Sequence, residues 1–333
     1  MRVRIGVIGV GLMGRSHAGI AASLPNAELV AIADTNKKTL EDVCGEMGVE
    51  GYASYQKMLD EEKLDAVIIC TPDRHHREPA EAAAERGLHL LIEKPTARTV
   101  EDAQAIVACA KKNDVILMTA HLLRFDPSYV LAYNAIRAGE IGDIVHIYAR
   151  RNDNVVDGRR LGGRTTLPFY CGVHDFDIMN WFTEERAERV SAVSTSRVMR
   201  DLGVYDSVFA NFNFTGGIIA SWESTWILPE NIGHSDMLME VAGTEGVVYI
   251  DAYTQGLNII TESNFRMPDT RYASPVHGRL LGALREQLIH FADCVTEGRE
   301  PLITPAAALE AVRMGCAINR SLDEGGAWVS LAE

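Results

Sequence analysis

The chain has 333 residues, of which 47% are hydrophobic and 23% are charged, and its formal net charge is −14. The length favours two domains in a globular protein, and the acidic balance argues against nucleic acid or an anionic membrane as a partner, because such partners need basic patches. The six cysteines include no C-x-x-C pair, so we expect reduced thiols in the cytoplasm and no bound metal. No apolar run reaches the roughly 18 residues that span a bilayer. We also expect no signal peptide, because glycines interrupt the apolar run at the N-terminus.

The N-terminal segment predicts a strand, a tight turn and a helix. An apolar run leads into G-x-G-x-x-G at Gly9, Gly11 and Gly14, and helical spacing follows. In such a turn the first glycine permits the bend, the second lets the backbone approach a pyrophosphate, and the third lets helix and strand pack closely. The helix N-terminus offers N–H groups and a partial positive charge to phosphates, so we expect a dinucleotide here.

A carboxylate follows the second apolar stretch of the chain. This residue is Asp34, at the distance from Gly14 where an adenosine ribose would present its 2′- and 3′-hydroxyls. A carboxylate accepts hydrogen bonds from those hydroxyls and repels a 2′-phosphate, which favours NAD over NADP. Lys37 and Lys38 lie nearby and keep NADP open. The alternative is that Asp34 only caps a helix that starts near Asn36.

The first third of the chain alternates predicted strands with predicted helices. This alternation predicts an α/β domain with a doubly wound parallel sheet, whose ligands bind at the carboxyl ends of the strands. The glycine turn, Asp34, residues 70–72 and residues 93–95 all follow predicted strands, so we expect them at one edge of the sheet. The predicted strands are 3–8, 28–34, 65–70, 88–92 and 115–119, and the predicted helices are 13–24, 36–48, 74–86 and 99–112.

After about residue 122 the pattern changes to strands joined by short turns. It predicts an α+β domain around a large open, mostly antiparallel sheet. We expect a Rossmann domain over residues 1–122 and a substrate-binding and oligomerisation domain over 123–333, with the last helix packing back on the first domain. An open sheet leaves a broad face, and burying that face against a copy of the chain predicts a homodimer or homotetramer. The predicted elements are a helix at 126–138, a strand at 144–150, a polar loop at 151–167, a helix ending near 183, strands at 189–198, 206–214, 217–226, 236–242, 246–250 and 257–261, and helices at 279–297 and 305–322.

Several short motifs in this order resemble the Gfo/Idh/MocA oxidoreductases. The tripeptide at residues 93–95, Glu-Lys-Pro, ends a strand that is similar to the family's G-K-H-V-L-x-E-K-P pattern. Residues 71–76 look like the family's T-P-N-x-x-H turn, with Asp73 in place of the usual Asn. Residues 124–127 open the helix between the domains as in many members, and residues 172–177 resemble the motif that carries the catalytic histidine.

The resemblance implies an NAD(P)-dependent oxidoreductase acting on CH–OH groups, with NAD as the expected cofactor. It implies oxidation of a secondary hydroxyl of a sugar, inositol or related polyol, or the reverse reduction, with hydride passing to nicotinamide C4. Inositol dehydrogenase-like members usually carry an aspartate where this chain has Tyr170. We expect Tyr170 either to donate a hydrogen bond to a substrate oxygen or to pack against neighbouring side chains. Two alternatives stay open: a non-catalytic nucleotide or sugar sensor, and an enzyme that cleaves glycosides with transient use of NAD.

Three residues form the expected catalytic group. His174 is the candidate base for the hydroxyl proton, because imidazole titrates near neutral pH. Asp177 lies three positions further along a predicted helix, where it can orient the ring. Lys94 supplies a cation that stabilises alkoxide character and relays the proton with His174. Pro95 makes the turn rigid, and the resemblance favours a cis bond before it.

The remaining candidates fall into two sets. Arginine-rich residues after the strand at 144–150 offer cationic groups to a substrate, with a solvated loop as the alternative. His121, Trp226 and His234 are candidate pocket residues, with core or surface packing as the alternative for each. The expected cofactor-binding residues are Gly9, Gly11, Leu12, Met13, Gly14, Asp34, Thr35, Cys70, Thr71, Pro72, His76, Glu93 and Lys94. The expected substrate residues are His121, Arg124, Arg151, Asn152, Tyr170, His174 and Trp226.

Overall fold

A computed structural model describes residues 2–230, 235–254, 256–262 and 265–331. Contacts group the chain into two compact units. The first unit comprises Met1–Phe125 and Tyr272–Leu309, and the second comprises Asp126–Arg271 and Glu310–Glu333. Residues 272–309 therefore group with the N-terminal unit, whereas the sequence places them in a continuous C-terminal domain. The packing of the last helix on the first domain stays a prediction.

Strands and helices alternate through the first unit and strands dominate the second. The strands are β1 Val3–Ile8, β2 Ala27–Ala33, β3 Glu50–Tyr52, β4 Ala66–Ile69, β5 His89–Ile92, β6 Leu117–Thr119, β7 Ile144–Asn152, β8 Ala187–Thr195, β9 Ser207–Phe214, β10 Ile219–Thr225, β11 Asp236–Gly243, β12 Val247–Asp251, β13 Ile259–Ile260, β14 Phe265–Arg266, β15 Ser274–Val276, β16 Arg279–Leu281 and β17 Val329–Ser330. The helices are α1 Leu12–Ser23, α2 Lys37–Met47, α3 Tyr55–Glu61, α4 Arg77–Ala84, α5 Val100–Lys112, α6 Pro127–Arg137, α7 Val155–Leu161, α8 Val173–Thr183, α9 Ala283–Glu297 and α10 Pro305–Asp323.

The first unit is built on a parallel sheet with the strand order β3-β2-β1-β4-β5-β6 among the described residues. The order reverses between β1 and β4, which makes the sheet doubly wound and confirms the predicted fold class. Its core joins the sheet to α1 and α9 through fully buried side chains such as Ile5, Ile20, Ile32 and Phe291. The sequence missed β3 and α3, because a three-residue strand and a seven-residue helix give too short a periodic pattern.

The second unit contains a mixed sheet with the order β12-β11-β7-β10-β9-β8-β17 among the described residues. Each neighbouring pair is antiparallel except β7 and β10, which run parallel. Helix α8 packs on the inner face, where Phe176 meets the rings of Phe212 and Trp222 edge to face at 5.6 and 5.2 Å. The predicted open, mostly antiparallel sheet is confirmed.

Two predictions about local structure were wrong. The expected polar loop at 151–167 contains α7, because Asn154 caps it by accepting a hydrogen bond from the backbone N–H of Asp157 and Gly162 ends it in the left-handed region. The helix expected from residue 279 begins at Ala283, since residues 279–281 pair as β16 with β15. Within the described ranges, no helix combines the length and the apolar character that crossing a membrane requires.

Candidate functional site

The glycine turn between β1 and α1 has three glycines with three different surroundings. Gly9 has φ 84°, and a Cβ there would come within 2.9 Å of the backbone of Cys70 and Thr71. A Cβ at Gly14 would collide with the carbonyl oxygen of Gly9. A Cβ at Gly11 would meet no described atom within 4 Å. The protein's own packing therefore explains two glycines, and the open space at Gly11 is compatible with a dinucleotide phosphate close to the backbone, a contact that stays a prediction.

The carboxyl ends of the central strands lie side by side. Ile8 of β1 is in register with Ala33 of β2 and with Ile69 of β4, and Ile69 is in register with Ile92 of β5. The residues that follow these four positions therefore share one edge of the first unit. This edge brings together the glycine turn, Asp34, residues 70–72 and residues 93–95, as the sequence predicts.

Asp34 connects the glycine turn to the start of α2. Its Oδ2 accepts a hydrogen bond from the backbone N–H of Val10 at 2.8 Å, and its Oδ1 accepts one from the N–H of Asn36 at 2.7 Å. The cap of α2 is Asn36 itself, which accepts from the N–H of Thr39. The alternative that Asp34 caps this helix is therefore wrong. Each carboxylate oxygen retains a lone pair for a ribose hydroxyl.

The other expected cofactor residues line the same edge with different exposure. Leu12 is 76% exposed, which is unusual for a leucine in the first turn of a helix, and Thr35 and Pro72 are also exposed. Met13, Cys70 and Thr71 are half-buried. Burial and then the charge of Glu93 raise the pKa of the Cys70 thiol well above its ordinary value. The thiol therefore stays protonated at neutral pH and contributes no charge to this edge.

His76 supports two of the turns at this edge. Its ring is 1% exposed, with Nε2 2.8 Å from the carbonyl oxygen of Thr71 and Nδ1 2.9 Å from that of Pro95. Burial lowers the pKa of His76, so a neutral ring donates to one of the two carbonyls. His76 thus bridges the turns after β4 and β5, and its direct contact with a cofactor stays a prediction.

Lys94 follows β5 in a turn that contains a cis Lys94–Pro95 bond, as expected. The preceding Glu93 is 6% exposed, and its Oε2 accepts the backbone N–H of Lys94 at 3.1 Å. Its Oε1 lies 2.9 Å from Nε2 of His17, a fully buried residue of α1. Sequence reasoning missed His17, although it stands out as the one polar residue between Gly14 and Ala18 on the buried stripe of α1.

Two expected substrate residues belong to the first unit. His121 follows β6 and is 1% exposed, and Arg124 is 5% exposed with its NH1 donating to the carbonyl oxygen of Leu302 at 3.3 Å. Both side chains are thus part of the packed interior of this unit. A role of either one toward a substrate stays a prediction.

Arg151 of the second unit is committed to a buried ion pair. Its guanidinium donates to both oxygens of Asp175, with NH2 2.7 Å from Oδ1 and Nε 3.0 Å from Oδ2. The Trp222 indole N–H donates to the same Oδ2 at 3.0 Å, and Arg151 and Asp175 are 7% and 1% exposed. The guanidinium therefore anchors α8 to β7, and sequence reasoning missed Asp175, although it directly follows His174.

Tyr170 lies in a π-helical turn over Pro168–Gly172 and contacts side chains of the second unit. NH2 of Arg160 donates to the tyrosine oxygen at 3.2 Å, and the ring meets the buried Trp226 edge to face at 6.0 Å. Burial and then the nearby carboxylate of Asp153 raise the pKa of Tyr170, so its hydroxyl keeps its proton. Asn152, 8% exposed, donates through Nδ2 to Glu223 at 3.1 Å.

The expected base and its orienting carboxylate lie on α8 directly after this π-helical turn. His174 is half-buried, and Asp177 is fully buried three positions further along. Residues three apart in a helix share a face, so the predicted pairing is sterically consistent. His234 lies outside the described residues. Among the described residues, no group of three histidine, cysteine or acidic side chains is arranged to hold a metal ion.

Comparisons with known proteins match both units. Residues 3–121 match the model of the oxidoreductase family with an NAD-binding Rossmann fold, and residues 129–249 match the GFO/IDH/MocA C-terminal domain. The scyllo-inositol 2-dehydrogenase (NAD(+)) of Bacillus subtilis is 30% identical over 97% of this chain and 95% of its own length. The myo-inositol 2-dehydrogenase of Thermotoga maritima is 26% identical over 97% of each chain.

The fold comparison agrees with the sequence comparison. A scyllo-inositol dehydrogenase from Lactobacillus casei, solved with bound NAD(H) and scyllo-inositol, covers 100% of both chains with a TM-score of 0.87. Its identity is 21%, so this likeness shows the fold alone. The two matched domains and the relative at 30% identity show that this chain belongs to the Gfo/Idh/MocA family of oxidoreductases, with its NAD-binding Rossmann domain.

Proposed function

We propose that this chain is an NAD-dependent dehydrogenase that oxidises a secondary hydroxyl of a sugar, an inositol or a related polyol, or catalyses the reverse reduction. The observation that carries the proposal is the position of Lys94. It follows β5 at the sheet edge that holds the glycine turn and Asp34, so one edge offers both a dinucleotide cradle and a cation. The relatives named for inositol substrates support a polyol ring.

The proton chemistry is assigned to three side chains of this chain. When bound, NAD⁺ accepts a hydride at nicotinamide C4. His174 takes the hydroxyl proton, because imidazole exchanges protons near neutral pH. The ammonium of Lys94 hydrogen-bonds the reacting oxygen and stabilises its alkoxide character. Asp177 keeps the imidazole in the tautomer that accepts this proton and stabilises the protonated ring.

The choice between NAD and NADP is assigned to Asp34. Its carboxylate is held by the N–H groups of Val10 and Asn36, so it stays fixed at the carboxyl end of β2. A fixed negative charge accepts bonds from ribose hydroxyls and repels a 2′-phosphate. We therefore expect NAD as the physiological cofactor.

We also propose that the chain works in the cytoplasm as a homodimer or homotetramer. The free thiols of the described residues suit a reducing compartment. The outer face of the second sheet exposes Val193, Phe209, Ile219 and Tyr249 by more than half of their surface. Apolar side chains of this number on one sheet face favour burial against a second copy.

The test is a spectrophotometric assay with the purified protein. A panel of inositols, aldoses, sugar acids and glycosides is incubated with NAD⁺ or NADP⁺, and the absorbance band of the reduced nicotinamide is recorded. We expect reduction of NAD⁺ with at least one cyclic polyol. We expect Lys94→Ala to reduce kcat by about a hundredfold or more, as removal of a group that stabilises developing charge does, while NAD⁺ still binds.

The matched control is Lys112→Ala, which removes an exposed lysine at the end of α5 and should leave turnover unchanged. Full turnover in Lys94→Ala would remove Lys94 from the mechanism. Bound nucleotide without any product would instead favour the sensor. Product formed from a glycoside without net reduction of NAD⁺ would favour transient redox chemistry.

A further inference from the structure

We infer that His17 is a positioning residue for Lys94, acting through the buried carboxylate of Glu93. The inference concerns a residue that takes no part in the proton chemistry proposed above. It rests on that proposed function only for its kinetic readout. Its other two readouts, the titration of Glu93 and the binding of NAD⁺, need no substrate.

His17 and Glu93 form a deeply buried pair. His17 lies on α1, the helix whose N-terminus faces the expected phosphates, and Glu93 directly follows β5. Nε2 of His17 and Oε1 of Glu93 are 2.9 Å apart, and the two side chains are 0% and 8% exposed. Two titratable groups buried this deeply hold each other in one arrangement, because an unpaired polar group in the interior carries a large desolvation penalty.

Glu93 also connects this buried pair to the backbone of Lys94. The other carboxylate oxygen of Glu93 accepts the backbone N–H of Lys94 at 3.1 Å. One oxygen is thus fixed to α1 and the other to the peptide that carries the candidate catalytic side chain. A rotation of the Glu93 carboxylate would release both bonds together. The pair therefore couples the phosphate-binding helix to the turn of Lys94.

Glu93 is charged at neutral pH although it is buried. Burial by itself raises the pKa of this carboxyl, but the hydrogen bond and charge of His17, the charge of Lys94 and the Lys94 N–H outweigh it and leave the pKa lowered. Among the described residues, the Glu93 charge also raises the pKa of Cys70 and opposes the lowering of the pKa of His76 by burial. Glu93 is consequently an anion at neutral pH, and a protonated carboxyl would lose acceptor strength toward both partners.

Other features of the pair exclude a purely space-filling role for His17. Its Nδ1 is buried and makes no hydrogen bond to any of the described residues. An apolar residue of similar volume would fill this position without the desolvation penalty of a buried polar atom that makes no hydrogen bond. The imidazole is therefore explained by what its Nε2 does for Glu93.

The experiment compares His17→Leu, His17→Gln and Glu93→Gln with the wild-type chain. The glutamine side chain at position 17 retains an N–H donor toward Glu93, whereas leucine retains only the volume. Ser16→Ala is the matched control, because the Ser16 hydroxyl donates to the carbonyl oxygen of Leu12 within the same helix. Each variant is labelled with ¹³C at the glutamate carboxyl, and the Glu93 signal, assigned by its loss in Glu93→Gln, is followed against pH.

We expect the pKa of Glu93 to rise in His17→Leu and to change less in His17→Gln. With the substrate found in the panel above, we expect kcat to fall about tenfold or more in His17→Leu, the size of a lost hydrogen bond to a charged group. The acidic limb of the kcat profile should move to higher pH, since Glu93 is then protonated at higher pH. The dissociation constant of NAD⁺ should change less than threefold or so in the same variant.

Three outcomes would overturn the inference. These are an unchanged Glu93 titration in His17→Leu, equal loss of activity in His17→Leu and His17→Gln, and additive losses in the double variant of His17→Leu with Glu93→Gln. If no compound of the panel is oxidised, the dehydrogenase proposal fails, whereas the Glu93 titration still decides the pairing. If His17→Leu does not fold, the Glu93 titration in His17→Gln decides it against the wild type, because loss of the imidazole charge should still raise the pKa of Glu93 and an unchanged pKa would overturn the inference.

Discussion

The atoms around each glycine of the turn between β1 and α1 determine whether a Cβ could be added there. Gly9 and Gly14 are both enclosed by backbone, since a Cβ at either position would meet Cys70, Thr71 or the Gly9 carbonyl. Gly11 faces open space, and its φ of −64° is one that any residue adopts. The same G-x-G-x-x-G motif therefore contains two structural glycines and one that leaves room for a ligand.

This difference predicts opposite effects for one substitution at two positions. Gly14→Ala should destabilise the fold by about 1–3 kcal/mol through overpacking, measured by urea unfolding. Gly11→Ala should leave the free energy of unfolding within about 0.5 kcal/mol and weaken NAD⁺ binding about tenfold, measured by calorimetry. Each variant is the control for the other. Unchanged NAD⁺ affinity in Gly11→Ala would place the phosphates elsewhere.

At the scale of elements, a buried ion pair fixes the helix that carries the candidate base. Arg151 is the penultimate residue of β7, Asp175 lies in the first turn of α8, and the indole of Trp222 on β10 donates to the same carboxylate. The sequence made Arg151 a substrate candidate because a guanidinium can bind hydroxyls, a carboxylate or a phosphate. The fold instead buries it, since β7 is covered by α8 at this point. Arg151 thereby holds α8 and the adjacent π-helical turn in place.

Replacing Arg151 should lower the free energy of unfolding more than replacing the neighbouring Arg150. Arg151→Met should lower the free energy of unfolding by about 3–5 kcal/mol, because the Asp175 charge stays buried without its guanidinium. The matched control is Arg150→Met, whose partner Asp236 is partly exposed, with an expected cost of about 1 kcal/mol or less. Urea unfolding at neutral pH measures both. Equal costs for the two variants would contradict the distinction.

At the scale of the whole molecule, the outer face of the second sheet is the expected contact between copies. Residues in register share this face: Val193 lies opposite Phe209, Phe209 opposite Glu223, and Tyr249 opposite Glu240. The alternate residues of the same strands, such as Phe212 and Trp222, point to the core. The outer face therefore carries exposed apolar side chains beside charged ones such as Glu223 and Glu240, whereas the inner face supplies the core.

Charges on this face should separate the copies without unfolding them. The double variant Phe209→Glu and Ile219→Lys changes two side chains that are 53% and 54% exposed, so its stability should stay within about 1 kcal/mol of the wild type. Light scattering should show a dimer or tetramer for the wild type and a smaller species for the variant. The control is Leu131→Glu, which changes a leucine of α6 that is 68% exposed and should not change the mass. A monomeric wild type would contradict the assembly.

The sequence by itself determined the elements that local patterns encode. Alternating apolar strands and helices gave the parallel sheet, and the spacing of Gly9, Gly11, Gly14 and Asp34 gave the edge where a dinucleotide fits. Most strands of the second sheet were also predictable, because polar and apolar residues alternate along them and turn residues separate them. These features depend on neighbours along the chain, which the sequence contains.

Only the tertiary structure decided what the polar residues contact. Arg151 pairs with Asp175, so its expected role toward a substrate stays a prediction, and His17 pairs with Glu93. The return of residues 272–309 to the first unit was likewise not encoded locally. The physical reason is that a charged side chain is bound by whichever groups the fold brings within about 3 Å, and those groups lie 24 and 76 positions away along the chain in these two pairs.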